Sequence, residues 1–194
     1  MEPIGSLEKE ILDIEWDMFS TVNEGRPKAS CQEDEAFYKL MRQSQLMVWE
    51  PAVRASYLSD LKGALAEGRN IMIEKYAYMM AFTDPEYFAA ISHLLPEVSE
   101  EKKQLAGRIA ELQTREAAAV SAGSSGISQA RPVSSSEDAA GSVSSETYSR
   151  CELWTYSAGT LRLLLDQIER MESEGRSYVQ EVLNNTREAQ RGYY

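Results

Sequence analysis

The sequence predicts an all-α protein, and three observations predict it. Apolar residues recur at helical spacings along nearly the whole chain. Start and stop signals of helices punctuate it at regular intervals. No stretch shows the apolar–polar alternation of a half-buried strand. The expected architecture is a single-domain helical bundle over residues 1–194, made of two pseudo-twofold-related helical repeats, 6–95 and 99–191, packed face to face.

The first helix is expected over 6–23, because Leu7, Ile11, Ile14, Met18 and Val22 fall on one face. Ser6 is the expected N-cap, with Glu8 and Glu10 at the positive end of the dipole. "NEGRPKASCQ" then breaks the pattern with Gly25 and Pro27. From Asp34 the periodicity returns through Phe37, Leu40, Met41, Ser44, Met47 and Val48.

Pro51 opens a further helix at its first turn, and Gly68 suits the left-handed position beyond its end. "RNIMIEKYAYMMAF" follows at once as another helix. In "TDPEYFAAISHLL", Asp84 caps, Pro85 takes the first helical position, and Pro96 ends the helix after Leu95. Ser99 opens a long helix to about 119. Leucine spacing predicts one helix over 148–170, Gly175 interrupts, and 177–191 forms a last amphipathic helix.

The formal charge of −11 disfavours phosphate backbones, so no nucleic-acid partner is expected. Cys31 and Cys151 lie far apart without metal or redox spacing, and "MEPIGSLEKEI" lacks the regions of a signal peptide, so free thiols and a cytoplasmic location are expected. No apolar run reaches the length of a membrane span.

Internal similarity is carried by the order of signposts. Shifting the chain by 107 places Glu67-Gly68-Arg69 and Glu74 on Glu174-Gly175-Arg176 and Glu181, Trp49 on Tyr156, and Leu61 on Ile168. Shifting by 105 places Arg26-Pro27 on Arg131-Pro132 and Ser30 on Ser135. The Ser-rich stretch around 130–150, a linker by composition, therefore reads as the counterpart of the first Arg-Pro loop.

"EWDMF" at 15–19, "ASCQEDEAFYKLMRQSQ" at 29–45, "SYLSDL" at 56–61, "EGRNIMIEKYA" at 67–77, "LLPEVSEEK" at 94–102 and "RPVSSSED…SSETYSRCELWTYS" at 131–157 resemble the bacterial domain-of-unknown-function family numbered 4125. The resemblance covers nearly the whole chain. It implies that Glu15, Cys31, Asp34, Arg42, Gln45, Asp60, Arg69, Asn70, Glu74, Ser135, Ser136, Glu137, Asp138, Glu146 and Arg150 stand at the family's polar motif positions. Two departures stand out: Tyr78, where the family pattern usually has Arg, and "AAGSVS" after "SSED".

Candidate chemistry falls on the polar groups in apolar helices and on the two matching loops. Glu15, at the edge of the first apolar stripe, and Glu74, inside "IMIEKYAYMM", are the candidate catalytic carboxylates. The structural alternatives are a carboxylate satisfied by an arginine for Glu15, and an ion pair with Arg42 or Arg150 for Glu74 and Lys75.

Arg26, Cys31, Gln32 and Asp34 in loop one and Arg131, Ser135, Ser136, Glu137 and Asp138 in loop two are candidate binding residues, joined by Arg42, Gln45, Arg69, Glu146 and Arg150. Capping of the following helices explains part of that set.

Cys31 has no neighbouring histidine to act as a base and reads more readily as an inert thiol. A single histidine, His93, argues against paired Glu-x-x-His metal motifs, and the remaining metal option is an all-carboxylate magnesium site from Glu15, Asp34 and Glu74. No metal or organic cofactor is expected.

The expected function is a small-molecule-binding helical protein for an anionic ligand, with an enzymatic version in which carboxylates move a proton while arginines hold the substrate. The alternative is a non-catalytic interaction or regulatory protein, a homodimer among its forms, anchored by "RGYY", Trp49, Trp154 and Tyr156.

Overall fold

The computed structural model describes residues 5–22, 32–123, 132–138 and 142–193. They form an all-α fold with no β-strand among them: α1 (Ser6–Ser20), α2 (Glu35–Leu46), α3 (Pro51–Ala66), α4 (Ile71–Thr83), α5 (Pro85–Ile91), α6 (Glu100–Gly123), α7 (Ser145–Leu153), α8 (Ala158–Ser173) and α9 (Tyr178–Tyr193). Short 3-10 turns lie at Ser92–Leu94 and Ser135–Glu137. No helix among the described residues is long and apolar enough to cross a membrane.

The chain divides into two compact units. The first holds residues up to Ile73 together with those from Gln180 on, and the second runs from Glu74 to Val179. The boundaries fall within α4 and near the start of α9.

In the first unit, α1 packs on α2 and α3. Its buried face is Glu8, Ile11, Leu12, Glu15, Met18 and Phe19, spacings that return to one side of a 3.6-residue helix. Trp49 and Tyr57 meet edge to face at 5.3 Å between ring centroids. In the second unit, α6 packs on α7 and α8. Tyr78, Met79, Val143 and Cys151 form a buried cluster there, with Tyr76, Phe82, Phe88, Tyr148 and Trp154 packed against it.

Capping explains most helix boundaries. The carboxylates of Asp34 and Asp84 accept from the backbone N–H of Phe37 and Tyr87, and Ser99 Oγ accepts from Lys102 N, with Asp84 and Ser99 at the helix starts the sequence predicts. The first helix differs: Gly5 occupies the N-cap without a side-chain bond, and Ser6 is already helical. The helix expected over 148–170 is two helices, because Ser157 accepts from Thr160 N and starts α8 anew after a turn at 154–157. The helix expected to reach Leu95 stops at Ile91 and tightens into the 3-10 turn.

Two helix ends are built alike. Gly68 and Gly175, 107 residues apart, have φ of 68° and 73° and follow α3 and α8. Arg69 N donates to Ala64 O at 2.8 Å, and Arg176 N donates to Met171 O at 2.9 Å. These are the closing bonds of a left-handed helix stop, which glycine reaches without steric cost. The same spacing separates the last residues of α2 and α7, both ends of α3 and α8, and the first residues of α4 and α9.

Candidate functional site

Among the described residues each unit holds a buried ionic centre that joins helices, the first beside a further Glu8–Arg54 pair, and the two centres are built differently. In the first, Glu15 is fully buried because its position on α1 repeats that of Ile11 one turn later. Arg42 of α2 forks onto it, Nε to Oε2 at 2.9 Å and Nη2 to Oε1 at 2.5 Å. Tyr57 of α3 donates to Oε1 at 2.6 Å, and Arg42 Nη1 donates to Gln45 Oε1 at 2.6 Å. One carboxylate thus holds three helices together through charge-assisted bonds.

The second centre lies on α4 and α7. Lys75, 5% exposed, places Nζ 2.6 Å from Glu152 Oε2, and Tyr156 donates to Glu152 Oε1 at 2.8 Å. The same ammonium sits 3.7 Å from the centroid of the Tyr148 ring, in cation–π contact. Tyr148 and Glu152 share a face of α7 because they are four residues apart. Burial by itself would lower the Lys75 pKa, but the Glu152 charge and Tyr148 outweigh it and hold the pKa above its ordinary value. The group is a cation. The partner of Lys75 is Glu152, a residue in an unremarkable register whose packing against α4 only the tertiary fold reveals.

Beside this centre, residues 132–138 clasp the start of α7. Ser145 N and Glu146 N donate to Pro132 O and Val133 O. Ser144 N and Thr147 Oγ1 donate to the two oxygens of Asp138 at 2.6 and 2.5 Å. Ser135 N donates to Glu146 Oε2 at 2.8 Å, while Glu146 Oε1 pairs with Arg150 at 2.5 Å. Ser134 and Glu137 form a capping box around the 3-10 turn. Burial would raise the Asp138 pKa, but the bonds from Thr147 and Ser144 and the Arg150 charge hold it below its ordinary value. This part of the Ser-rich stretch is built structure.

The candidates from loop one serve the first unit. Gln32 Nε2 donates to Phe19 O and Val22 O, tying down the end of α1, and Asp34 caps α2. Arg69 Nε pairs with Glu67 at 2.7 Å at the helix corner, and Ser136 N donates to Ser134 Oγ within the capping box. Glu74 is buried on α4. Arg26, Cys31 and Arg131 lie outside the described residues, as does Ser30. Gln32 and Asp34 belong to the first unit, and Ser135, Ser136, Glu137 and Asp138 to the second.

Among the described residues, Arg150 Nε and Trp154 Nε1 are buried without a hydrogen-bond partner. Cys151 is fully buried and free, and burial pushes its thiol up to about 12 despite the charges of Arg150 and Lys75. Trp49 and Tyr156 are 1% exposed, so they are core residues rather than surface anchors. No three His, Cys, Asp or Glu side chains among the described residues gather as an ion-holding group.

These features define the molecule as an all-α protein with buried, differently wired ionic centres in both units. The chain belongs to the family described as "Protein of unknown function (DUF4125)", whose sequence profile matches residues 5–194. No curated protein and no solved structure gives a significant match.

Proposed function

We propose that this is a small-molecule-binding helical protein that takes an anionic ligand at the Lys75–Glu152 centre, and that its chain is a duplicated helical unit. The duplication is supported by the shared 107-residue spacing of helix ends and glycine corners. Buried positions follow the same spacing, with Val53, Tyr57, Leu61 and Ala64 of α3 matched by Thr160, Leu164, Ile168 and Met171 of α8. The first helices correspond at 98 residues, Ile11 with Ile109. The bond from Arg42 on α2 to Glu15 on α1 then has as its counterpart the bond from Ser149 on α7 to Gln113 on α6.

One observation carries the ligand reading: the duplicated counterparts of Lys75 and Glu152 are Val182 and Gln45. The fold is therefore completed at the corresponding place without either charge. Desolvating an ion pair costs several kcal/mol per ion before their attraction offsets it, so a pair the architecture does not require calls for another role. An ammonium has three donors. Glu152 takes one and the Tyr148 ring faces the ammonium, which leaves a donor for an anion.

In an enzymatic version Glu152, between Lys75 and Tyr156, moves the proton. Glu15, which already accepts three bonds, is better suited to joining helices than to proton transfer. The test is a thermal-shift titration of the protein and its Lys75→Met/Glu152→Gln variant with acetate, benzoate and inorganic phosphate. A rise in melting temperature confined to the unaltered protein supports the reading. No rise with any of the three speaks against it.

A second reading, a non-catalytic interaction protein, is favoured by α5, which buries none of its residues, and by Tyr87 and Leu94 at 54% and 72% exposure. Tyr87→Lys/Leu94→Lys, compared with the unaltered chain by native mass spectrometry, tests it: an assembly lost in the variant supports docking, and a monomer in both argues against self-association.

A further inference from the structure

We infer that the two repeats have exchanged their fourth helices within the chain, so that each three-helix core is completed by a helix of the other repeat. This rests on the duplication proposed above. By that correspondence α4 is the fourth helix of the first repeat and α9 the fourth of the second, since both begin three residues after a left-handed glycine. Residues from Glu74 on belong to the second unit, with α6, α7 and α8. Residues from Gln180 on belong to the first, with α1, α2 and α3.

The seats match at one pair of corresponding positions. On α4, Tyr78 joins the buried cluster that contains Cys151 of α7. Its counterpart on α9 is Asn185, whose Nδ2 donates at 3.1 Å to the carbonyl of Ser44 on α2. Ser44 is itself the counterpart of Cys151. The same position of the fourth helix thus lies with the same position of the second helix, in one buried cluster in the second unit and by a hydrogen bond in the first, and each time the two come from different repeats.

The arrangement makes the surface formed by α2 a seat for a helix of stated identity, the fourth helix of the partner repeat. It also explains how Lys75 reaches Glu152: the cation is supplied by one repeat and the carboxylate by the other, both inside the second unit.

Native-state hydrogen exchange on the full chain tests the exchange. Leu61→Val loosens the core of the first unit and Ile168→Val that of the second, each a small truncation of a fully buried side chain. The expected result is amide exchange about fivefold faster in α9 with Leu61→Val and in α4 with Ile168→Val, with the other fourth helix unchanged. The opposite pairing overturns the inference, and so does equal acceleration of both helices by both variants. The duplication is read separately from Gly68→Ala and Gly175→Ala, whose costs match if the two corners are counterparts.

Discussion

Lys75 and Glu152 meet at 2.6 Å inside the second unit, whereas Val182 and Gln45, at the positions 107 residues removed, carry no charge. Under the duplication proposed above the contrast acts as an internal control, with one architecture completed once by an ion pair and once without it. On that reading folding needs a filled core at that place and no charge.

The first centre has the opposite dependence. Arg42→Met leaves Glu15 buried with its positive partner gone, and is expected to cost about 3–5 kcal/mol. Adding Glu15→Gln removes the orphaned charge and recovers most of the loss, because two neutral groups of similar volume then fill the space. Urea unfolding of the two variants checks this. Additive losses in the double variant would deny the coupling.

The glycine corners give a prediction free of packing effects, since a Cβ at Gly68 or Gly175 meets nothing within 4 Å. Each alanine variant carries only the left-handed backbone penalty of about 1–2 kcal/mol. Equal decreases in stability are expected, measured by chemical denaturation. A neutral effect at either site would contradict the positive φ there.

Stability falls at both ends of the pH scale, for different reasons. Cys151 and Lys75 have folded pKa values above their ordinary 9.0 and 10.5, so their contribution is complete below those values and is lost as pH rises through the folded ones, near 12 for Cys151. Asp138 is held below 3.8, so its contribution is present above that value and lost as pH falls through the folded one. In a Cys151→Ala variant the alkaline decline between about pH 9 and 12 should become shallower. An unchanged slope would show that the thiol is not held neutral in the folded protein. A Cys31→Ser variant should resist thiol labelling at pH 8 until it is unfolded.

Much of the fold is legible in the sequence because its signals are local. Asp34, Asp84-Pro85, Pro51 and the two glycines act within a turn of the chain, and each marks a helix boundary where expected. The break at 154–157 is hidden by leucine periodicity that continues through it, although aligning Tyr156 with Trp49, which stands just before Pro51, points to a turn there. Glu15 paired with an arginine is legible as an alternative because its place on the apolar stripe forces a partner. Glu152 is not, since nothing near it in sequence marks it out. Its partner lies 77 residues away.

The clasp at 132–138 is half legible. Composition reads it as a linker, while the order Arg-Pro, Ser, acidic residue, helix reads it as a loop with a task. Its order comes from hydrogen bonds to the start of α7, a set of contacts that residue type alone does not specify.

The most direct test is the thermal-shift titration with benzoate, acetate and phosphate on the unaltered protein and on Lys75→Met/Glu152→Gln. The account predicts that the double variant melts within about 1 kcal/mol of the unaltered protein, as expected when a buried pair gives way to neutral groups, and that it alone loses the response to the anion. A variant that unfolds, or one that keeps the full response, would contradict it.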